Sequence, residues 1–364
     1  MLQNIHPSDQ LRSLAARKSK PDEYKSVRPA LVEEETTKGW EVFKRRKSSV
    51  RLRRPKSHDK RLEDRVWTLM YRMGFKYLTG QGGAHLTLGS GGPPSSPDNQ
   101  IDVVAIDDEV AFAVECKSSN TRRRFVDFAR DLGKHVSLRD TFTQAVKSQF
   151  PAVTKRPSVF SIWASNLILS DNDRARAAHA GVVVLDEGEL DYFEHLIGQI
   201  GIAARFQFLA DVLQGREIPA LELTVPAIRV RMGKYTAYAF SVPPEYLLKI
   251  GFVSHRARGK PSDIDAYQRM LKKSRLSDIR HYISEGGIFP TNIVINIVNP
   301  RWVSFDRGKQ EEDRGAATFG WLHIRPAYKA AWIIDGQHRL FAYAGHPLGA
   351  KSAVSVMAFV GTTA

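Results

Sequence analysis

Residues 100–118 read QIDVVAIDDEVAFAVECKS, and this stretch decides the fold of the first half of the chain. Two runs rich in Val, Ile, Ala and Phe flank a polar cluster, which is the pattern of a β-hairpin. A two-residue turn at residues 108–109 sets the register so that Asp102 lies opposite Glu115, with Cβ atoms about 4.5–5.5 Å apart. Lys117 shares their face because side chains alternate along a strand.

Two carboxylates at this distance repel each other unless a positive charge lies between them. Oxygen ligands of this kind suit a hard divalent cation such as Mg²⁺ or Mn²⁺. A lysine beside such a cation can orient a water molecule or stabilise the charge that develops on an attacked phosphate. The alternative is a solvated hairpin face that carries an ordinary cross-strand ion pair.

The spacing D-x12-E-x-K of Asp102, Glu115 and Lys117 resembles the metal site of the PD-(D/E)xK nucleases, the restriction-endonuclease-like family. The resemblance implies that Asp102 and Glu115 bind the metal ion and that Lys117 is catalytic. It further implies Mg²⁺ or Mn²⁺ as cofactor and double-stranded DNA as substrate.

Residues 59–73 have helical spacing, with one apolar stripe along the predicted helix. Glu63 lies at the edge of the stripe, where it can reach a site at the sheet edge, whereas Asp64 is expected to face water. Glu63 stands eleven residues before Gly74-Phe75, a spacing that resembles Mrr enzymes and archaeal Holliday-junction resolvases and implies a catalytic role. The alternative for Glu63 is a surface carboxylate paired with a nearby arginine.

The elements around the hairpin are predicted in the order α-β-hairpin-α-β-α-β-α, and this order resembles the PD-(D/E)xK fold. The phrase ILSDNDRARAAHAGVVVLDEGEL also resembles the end of Mrr-like nuclease domains. We therefore expect an α/β domain over residues 59–215, with a restriction-endonuclease-like mixed sheet flanked by helices. Helical regions are predicted at 121–150 and 189–214 within it.

The chain of 364 residues has a net charge of +15, which favours a polyanionic partner such as nucleic acid. Residues 1–58 hold 15 Lys or Arg against 7 Asp or Glu, and we predict a basic N-terminal arm that neutralises DNA phosphates. The alternative is a flexible charged tail. The predicted DNA contacts are Arg45, Arg46, Arg53, Arg54, Arg122, Arg123 and Arg124.

One cysteine cannot form an internal disulfide, which fits a reducing cytoplasm. There is no apolar signal segment near Met1 and no run of 18 apolar residues, so we expect no membrane partner.

A second domain is expected over residues 217–364, and its main motif is AAWIIDGQHRLFAYAG at residues 330–345. A strand ends at Asp335, Gly336 permits a tight turn, and a helix begins near Gln337. A helix start of this kind can bind an anion through free N–H groups, and Arg339 can grip a phosphate. The alternative is that His338 and Arg339 only cap and salt-bridge the helix.

The run DGQHR, together with YQRMLKKSRLSDIRHYI and GGIFPTNIVINI, resembles the DGQHR-domain family, which is related to DndB and more distantly to ParB-type folds. The resemblance implies an α+β domain that binds a nucleoside triphosphate or senses modified DNA. Partners would be other components of a DNA-modification or anti-phage defence system, and we expect an oligomer. The family pattern continues beyond residue 360, so we expect either that the chain is truncated or that its second domain is incomplete. The motif residues are Asp335, Gly336, Gln337, His338 and Arg339, with Arg269 and Arg275 as helpers.

The sequence thus predicts a metal-dependent DNA endonuclease gated by a DGQHR module. Two alternatives stay open. One is a non-cleaving DNA-binding regulator of DNA modification, and the other is a nucleotide hydrolase whose nuclease-like domain only docks DNA.

Overall fold

The computed structural model describes residues 1–87, 100–153, 155–219, 221–253, 273–308 and 317–362. The chain divides into two compact units, Met1–Leu190 and Asp191–Ala364. We predicted the division near residue 216, and the structure differs because the helix at Ala204–Val212 belongs to the second unit. Asp211 on this helix forms a 2.9 Å ion pair with Lys329 of the same unit.

The first unit is a mixed α/β structure with three sheets. The largest has the order β12-β11-β10-β9-β6-β2, and two three-stranded sheets have the orders β1-β7-β8 and β3-β5-β4. The strands are β1 (Leu2–Gln3), β2 (Ile5–Pro7), β3 (Asp22–Val27), β4 (Glu41–Arg45), β5 (Val50–Pro55), β6 (Tyr77–Thr79), β7 (Ala84–Leu86), β8 (Gln100–Ile101), β9 (Val103–Ile106), β10 (Ala111–Arg124), β11 (Ser158–Ile168) and β12 (Val182–Asp186). The helices are α1 (Arg12–Lys18), α2 (Val32–Thr37), α3 (His58–Arg72), α4 (Phe128–Ser137), α5 (Arg139–Gln149) and α6 (Asp171–His179), and α7 (Glu187–Ile200) crosses the boundary.

The predicted hairpin and its register are confirmed. Strands β9 and β10 are antiparallel, and Ala111 pairs with Ile106 while Val114 pairs with Val103. Strand β10 then pairs with β11 in parallel, as β11 does with β12. The hairpin therefore lies in the middle of the sheet and is flanked by strands on both sides.

Side chains from β9, β10 and β11 form an apolar core with the helices that follow the hairpin. Phe128 of α4 and Phe142 of α5 are fully buried and share this core with Ala113 and Phe160. Trp67 of α3 is also fully buried, and its indole donates a hydrogen bond to the carbonyl of Thr79. Burial of these large side chains fixes the helices against the sheet.

Two predicted helices differ from the structure. Residues 121–124, predicted to open a helix, instead form the end of β10, because Arg123 and Arg124 pair with Leu167 and Ile168 of β11. The helix predicted over residues 189–214 is broken at Gly201, whose φ of +59° is a left-handed conformation that ends a regular helix.

Residues 1–58 also differ from the separate arm that we predicted. Strand β2 extends the main sheet by pairing with β6, and β1 pairs with β7. Strands β3, β4 and β5 form their own sheet around Trp40, Val50 and Leu52, which are all buried. Local charge density does not reveal such pairing, because the partners lie far away in the sequence.

The second unit is a mixed α/β structure built on an eight-stranded sheet with the order β15-β19-β16-β20-β14-β13-β18-β17. Its strands are β13 (Thr224–Met232), β14 (Tyr235–Val242), β15 (Gly251–Phe252), β16 (Ile293–Ile297), β17 (Val303–Arg307), β18 (Ala317–Ile324), β19 (Ala331–Asp335) and β20 (Val354–Val360). Its helices are α8 (Ala204–Val212), α9 (Pro244–Ile250), α10 (Lys273–Ser284) and α11 (Gln337–Ala342). No helix among the described residues is both long and apolar enough to span a bilayer.

Candidate functional site

The turn of the hairpin is held by Asp107. Its Oδ1 accepts hydrogen bonds from the backbone N–H groups of Glu109, at 2.8 Å, and Val110, at 3.0 Å. The backbone N–H of Asp107 donates to the carbonyl of Val110 at 3.1 Å, which closes the two-residue loop. Asp107 thus sets the register that brings the carboxylates of the two strands together. The sequence signal was an Asp at the first turn position, which commonly bonds its own backbone two residues on.

Asp102 lies between β8 and β9, beside the part of β10 that carries Cys116. Its Oδ2 accepts a hydrogen bond from the backbone N–H of Cys116 at 2.7 Å. Burial, reinforced by the negative charge of Glu115, raises the pKa of Asp102 to about 8. The charge of Glu63 acts in the same direction, whereas Lys117 opposes it. Crowded anionic groups therefore surround Asp102, and a cation would stabilise its charged form.

Lys117 is on β10 and points to the same site. Its Nζ forms a 2.8 Å ion pair with Glu115 and lies 3.8 Å from Asp131 of α4. Burial acts to lower the pKa of Lys117, but Glu115, Asp131 and Asp102 outweigh it and raise the pKa above its usual value. The lysine is therefore protonated near neutral pH and can donate hydrogen bonds to an anion.

Glu63 of α3 is half-buried, and burial raises its pKa. Glu115 contributes to this shift, and Lys18 opposes it. The charge of Glu115 thus acts on Glu63, although the hairpin lies in the middle of the sheet and not at the sheet edge where we predicted the site.

Our expectation for Asp64 was wrong. Asp64 is only 5% exposed, and its carboxylate pairs with Lys18 at 2.5 Å and Lys56 at 2.8 Å. Helix phase placed Asp64 on the side opposite the apolar stripe, but α1 and the end of β5 cover that side. Their position could not be read from the sequence of α3.

A cavity of about 250 Å³ adjoins Glu115 and Lys117. Helix α4 contributes the adjacent residues Arg130 and Asp131 and, one helical turn further on, Lys134. His135 also lines the cavity, but burial lowers its pKa to about 4 and it bonds to the carbonyl of Ala113 at 3.2 Å, so it is neutral and structural. Arg130 and Asp131 were missed by the sequence interpretation because their approach to β10 depends on the crossing of α4 over the sheet.

Asp102 and Glu115 are the two carboxylates of the hairpin that the sequence predicts as metal ligands. Among the described residues, no group of three or more His, Cys, Asp or Glu side chains is arranged to hold a metal ion. Mg²⁺ commonly takes one or two carboxylates, with water and substrate phosphate oxygens supplying the rest of its octahedral shell. Asp102 and Glu115 fit that pattern in number, and burial together with the charge of Glu115 raises the pKa of Asp102, so a cation would favour its charged form.

The predicted DNA-contacting arginines lie in two groups. Arg122, Arg123 and Arg124 are exposed at the end of β10, beyond Lys117 on the same strand. The other four are on or just after β4 and on β5, where Arg53 lies 3.4 Å from Glu41 and Arg54 pairs with Glu23 at 2.6 Å. This second group comprises Arg45, Arg46, Arg53 and Arg54. Both groups of arginines belong to the first unit.

In the second unit, the DGQHR run forms the expected junction between a strand and a helix. Asp335 ends β19, Gly336 has a φ of +89°, and α11 begins at Gln337. His338 is buried. Gly336 is well suited to this junction because its left-handed backbone favours a residue without a Cβ atom.

Arg339 bonds to its own unit and thereby fixes the segment before β16. Its guanidinium donates to the carbonyl and hydroxyl of Thr291, both at 2.6 Å, and to the carbonyl of Asn292 at 3.1 Å. It also pairs with Asp335 at 3.2 Å. These contacts correspond to the structural alternative for Arg339, in which it ties the helix to its surroundings. Arg275 is exposed on α10, and Arg269 lies outside the described residues.

Comparison with known proteins identifies one family. Residues 225–357 match the family described as DndB, DNA-sulfur modification-associated. No curated protein matches. Among solved structures, the chain is similar to protein VC1899 from Vibrio cholerae, at 16% identity and a TM-score of 0.27, covering 52% of this chain and 49% of that protein. The chain therefore spans about half the length of that protein. The residues that match this family lie within the second unit.

Proposed function

We propose that the first unit is a metal-dependent DNA endonuclease that acts in a DNA-sulfur modification system. One observation carries the proposal: Lys117 pairs with Glu115 at 2.8 Å, and the neighbouring Asp102 accepts a 2.7 Å hydrogen bond from the backbone N–H of Cys116 on the same strand. Burial and the charge of Glu115 raise the pKa of Asp102 there. The DndB match over residues 225–357 supports the association with modified DNA. The restriction-endonuclease-like fold of the first unit and the ParB-like fold of the second are part of the same proposal.

Each residue has a distinct task in this proposal. Asp102 and Glu115 would hold Mg²⁺ or Mn²⁺, and Glu63 would support the site from α3. When bound, the cation supplies polarisation of a phosphate oxygen and lowers the pKa of a water molecule. Lys117 would turn from Glu115 to the scissile phosphate and donate a hydrogen bond to one of its oxygens. This contact strengthens as negative charge develops in the transition state.

Charged side chains around the site would bind the DNA backbone. Arg130 and Lys134 face the cavity beside Lys117, and Arg122, Arg123 and Arg124 continue along β10. Contacts of this kind position the duplex without reading its sequence. The second unit would sense a nucleoside triphosphate or modified DNA and gate cleavage, within an assembly that includes other components of the modification or defence system.

The proposal is tested by cleavage of plasmid DNA with and without phosphorothioate linkages, in Mg²⁺ or Mn²⁺. Lys117→Ala should lower the cleavage rate about a hundredfold or more, because it removes a donor to the developing charge. DNA affinity without metal should change only a few fold, since one of many cationic contacts is lost.

Lys147→Ala is the matched control, because Lys147 is an exposed lysine on α5 that does not line the cavity. It should cleave at the wild-type rate. Equal cleavage rates for Lys117→Ala and the wild type would contradict the proposed site.

A non-cleaving regulator of DNA modification is the second candidate, and the DndB match favours it because that family is described only as modification-associated. It predicts that Glu115→Ala leaves DNA binding and any effect on DNA modification intact. A binding assay run beside the cleavage assay separates the two functions.

A further inference from the structure

A second cavity in the first unit, of about 330 Å³, lies among α1, β3, β5 and the first half of α3. Seven of its fourteen lining residues are Lys or Arg, and three are Asp or Glu. Lys25 pairs with Glu35, which lies outside the lining, and Lys60 pairs with Glu23, but the other cations still outnumber the acidic groups, and like charges around one cavity repel. The excess of positive charge points to an anionic ligand.

The floor of the cavity holds two lysines that share one carboxylate. Lys56 is 3% exposed at its side chain and Lys18 is 13% exposed, and both pair with Asp64. Lys56 also donates to the carbonyls of Arg17 and Lys18, at 3.2 and 2.8 Å. Two lysines thus share one acidic partner in a place with little solvent, an arrangement that favours an additional anion nearby.

The rim adds cations without acidic partners. Among the described residues, no carboxylate pairs with Arg17, Lys20 or Arg51, whereas the rim residue Lys60 pairs with Glu23 at 2.6 Å. Lys20 and Arg51 both lie against the ring of Tyr24, at 5.5 and 4.8 Å from its centroid. The aromatic ring thus holds two cations at the cavity without neutralising either of them.

We propose that this cavity binds a phosphate group, either of a DNA strand or of a free nucleotide. Phosphate presents several acceptor oxygens and up to two negative charges, which suits several converging cations. Arg17 and Arg51 can each make paired N–H···O bonds to it, and Lys20 adds a point charge. The buried pair Lys18 and Lys56 provides a fixed positive field behind the ligand. The proposal does not rest on nuclease activity.

The test measures equilibrium binding to the full chain without divalent metal, by calorimetry with inorganic phosphate and ATP and by fluorescence anisotropy with a labelled DNA duplex. Arg17→Ala and Arg51→Ala should each weaken binding of a free phosphate ligand about tenfold. For a duplex, each should weaken binding about threefold and reduce the salt slope by about 1.

Arg12→Ala is the matched control, because Arg12 is an exposed arginine on α1 that does not line the cavity. It should leave affinity unchanged, and circular dichroism should show that all three variants are folded. If the cavity variants lose affinity for ATP or inorganic phosphate, the ligand is a free nucleotide or phosphate. If they lose affinity for the duplex alone, the ligand is a phosphate of the DNA backbone. Equal weakening by Arg12→Ala, or unchanged binding in both cavity variants, would overturn the proposal. These binding measurements contain no divalent metal, so their outcome does not depend on whether the protein cleaves DNA.

Discussion

At the scale of single residues, charge crowding distinguishes the candidate site from an ordinary surface ion pair. Lys117 pairs with Glu115 at 2.8 Å, but burial, the charge of Glu115 and the charge of Glu63 all act to raise the pKa of Asp102. One lysine cannot neutralise the three carboxylates when all of them are ionised. Because negative charge would then exceed positive charge, we expect a cation to bind beside Asp102 and Glu115.

This crowding predicts how stability depends on pH. The pKa of Asp102 rises from 3.8 to about 8 on folding, so the folded protein holds a proton that the unfolded chain releases. Stability should then fall as pH rises from about 4 to about 8. Asp102→Asn removes this titration and should raise Tm by a few degrees at pH 8 without metal, and by less at pH 5.

Asp108→Asn is the control for that comparison, because Asp108 lies in the same hairpin but is 60% exposed. Its Tm difference from the wild type should not change with pH. Added Mg²⁺ should stabilise the wild type at pH 8 and have no such effect on Asp102→Asn. A pH-independent Tm difference for Asp102→Asn would contradict the assignment.

At the scale of elements, the hairpin β9–β10 is the unit on which the site depends. Both metal-ligand candidates and Lys117 are on it or beside it, and its register follows from the turn at Asp107. A slip by one residue would move every side chain of a strand to the other face of the sheet. The turn therefore controls the geometry of a site several residues away.

Asp107→Ala should destabilise the protein by about 1–3 kcal/mol, because two backbone N–H groups lose a charged acceptor. Urea denaturation followed by circular dichroism measures this change. Asp108→Ala removes the neighbouring exposed carboxylate and should change stability by less than about 1 kcal/mol. If the two substitutions were equally mild, the turn would not depend on Asp107.

At the scale of the whole molecule, the chain combines two compact units with a net charge of +15. The clustered arginines in the first unit lie on strands that belong to its sheets, rather than on a separate arm. Basic side chains on a rigid surface are held in place before DNA arrives, which lowers the entropy cost of binding.

DNA affinity should therefore depend steeply on salt. If about five phosphates are neutralised, affinity should fall about a hundredfold or more between 50 and 200 mM salt, since log K changes by about −0.9 per contact. Fluorescence anisotropy with a labelled duplex measures this slope. Replacing Arg122, Arg123 and Arg124 together by Ala should reduce the slope by up to about 3, and an unchanged slope would exclude β10 as a DNA-contacting strand.

Local sequence patterns determined the hairpin, its register and the order of helices and strands around it. Alternation of apolar residues, an acidic turn and helical spacing depend only on near neighbours in the chain. The glycine of DGQHR also correctly marked a strand-to-helix junction. Each of these inferences uses contacts within about a dozen residues.

Only the tertiary structure decided what covers each element. The burial of Asp64 by Lys18 and Lys56, the strand conformation of residues 121–124 and the internal bonds of Arg339 all depend on segments distant in sequence. The basic cavity was hidden for the same reason, because α1, β3, β5 and α3 meet only in the folded chain. Charge and periodicity are local properties, whereas burial and ion pairing depend on which surfaces meet.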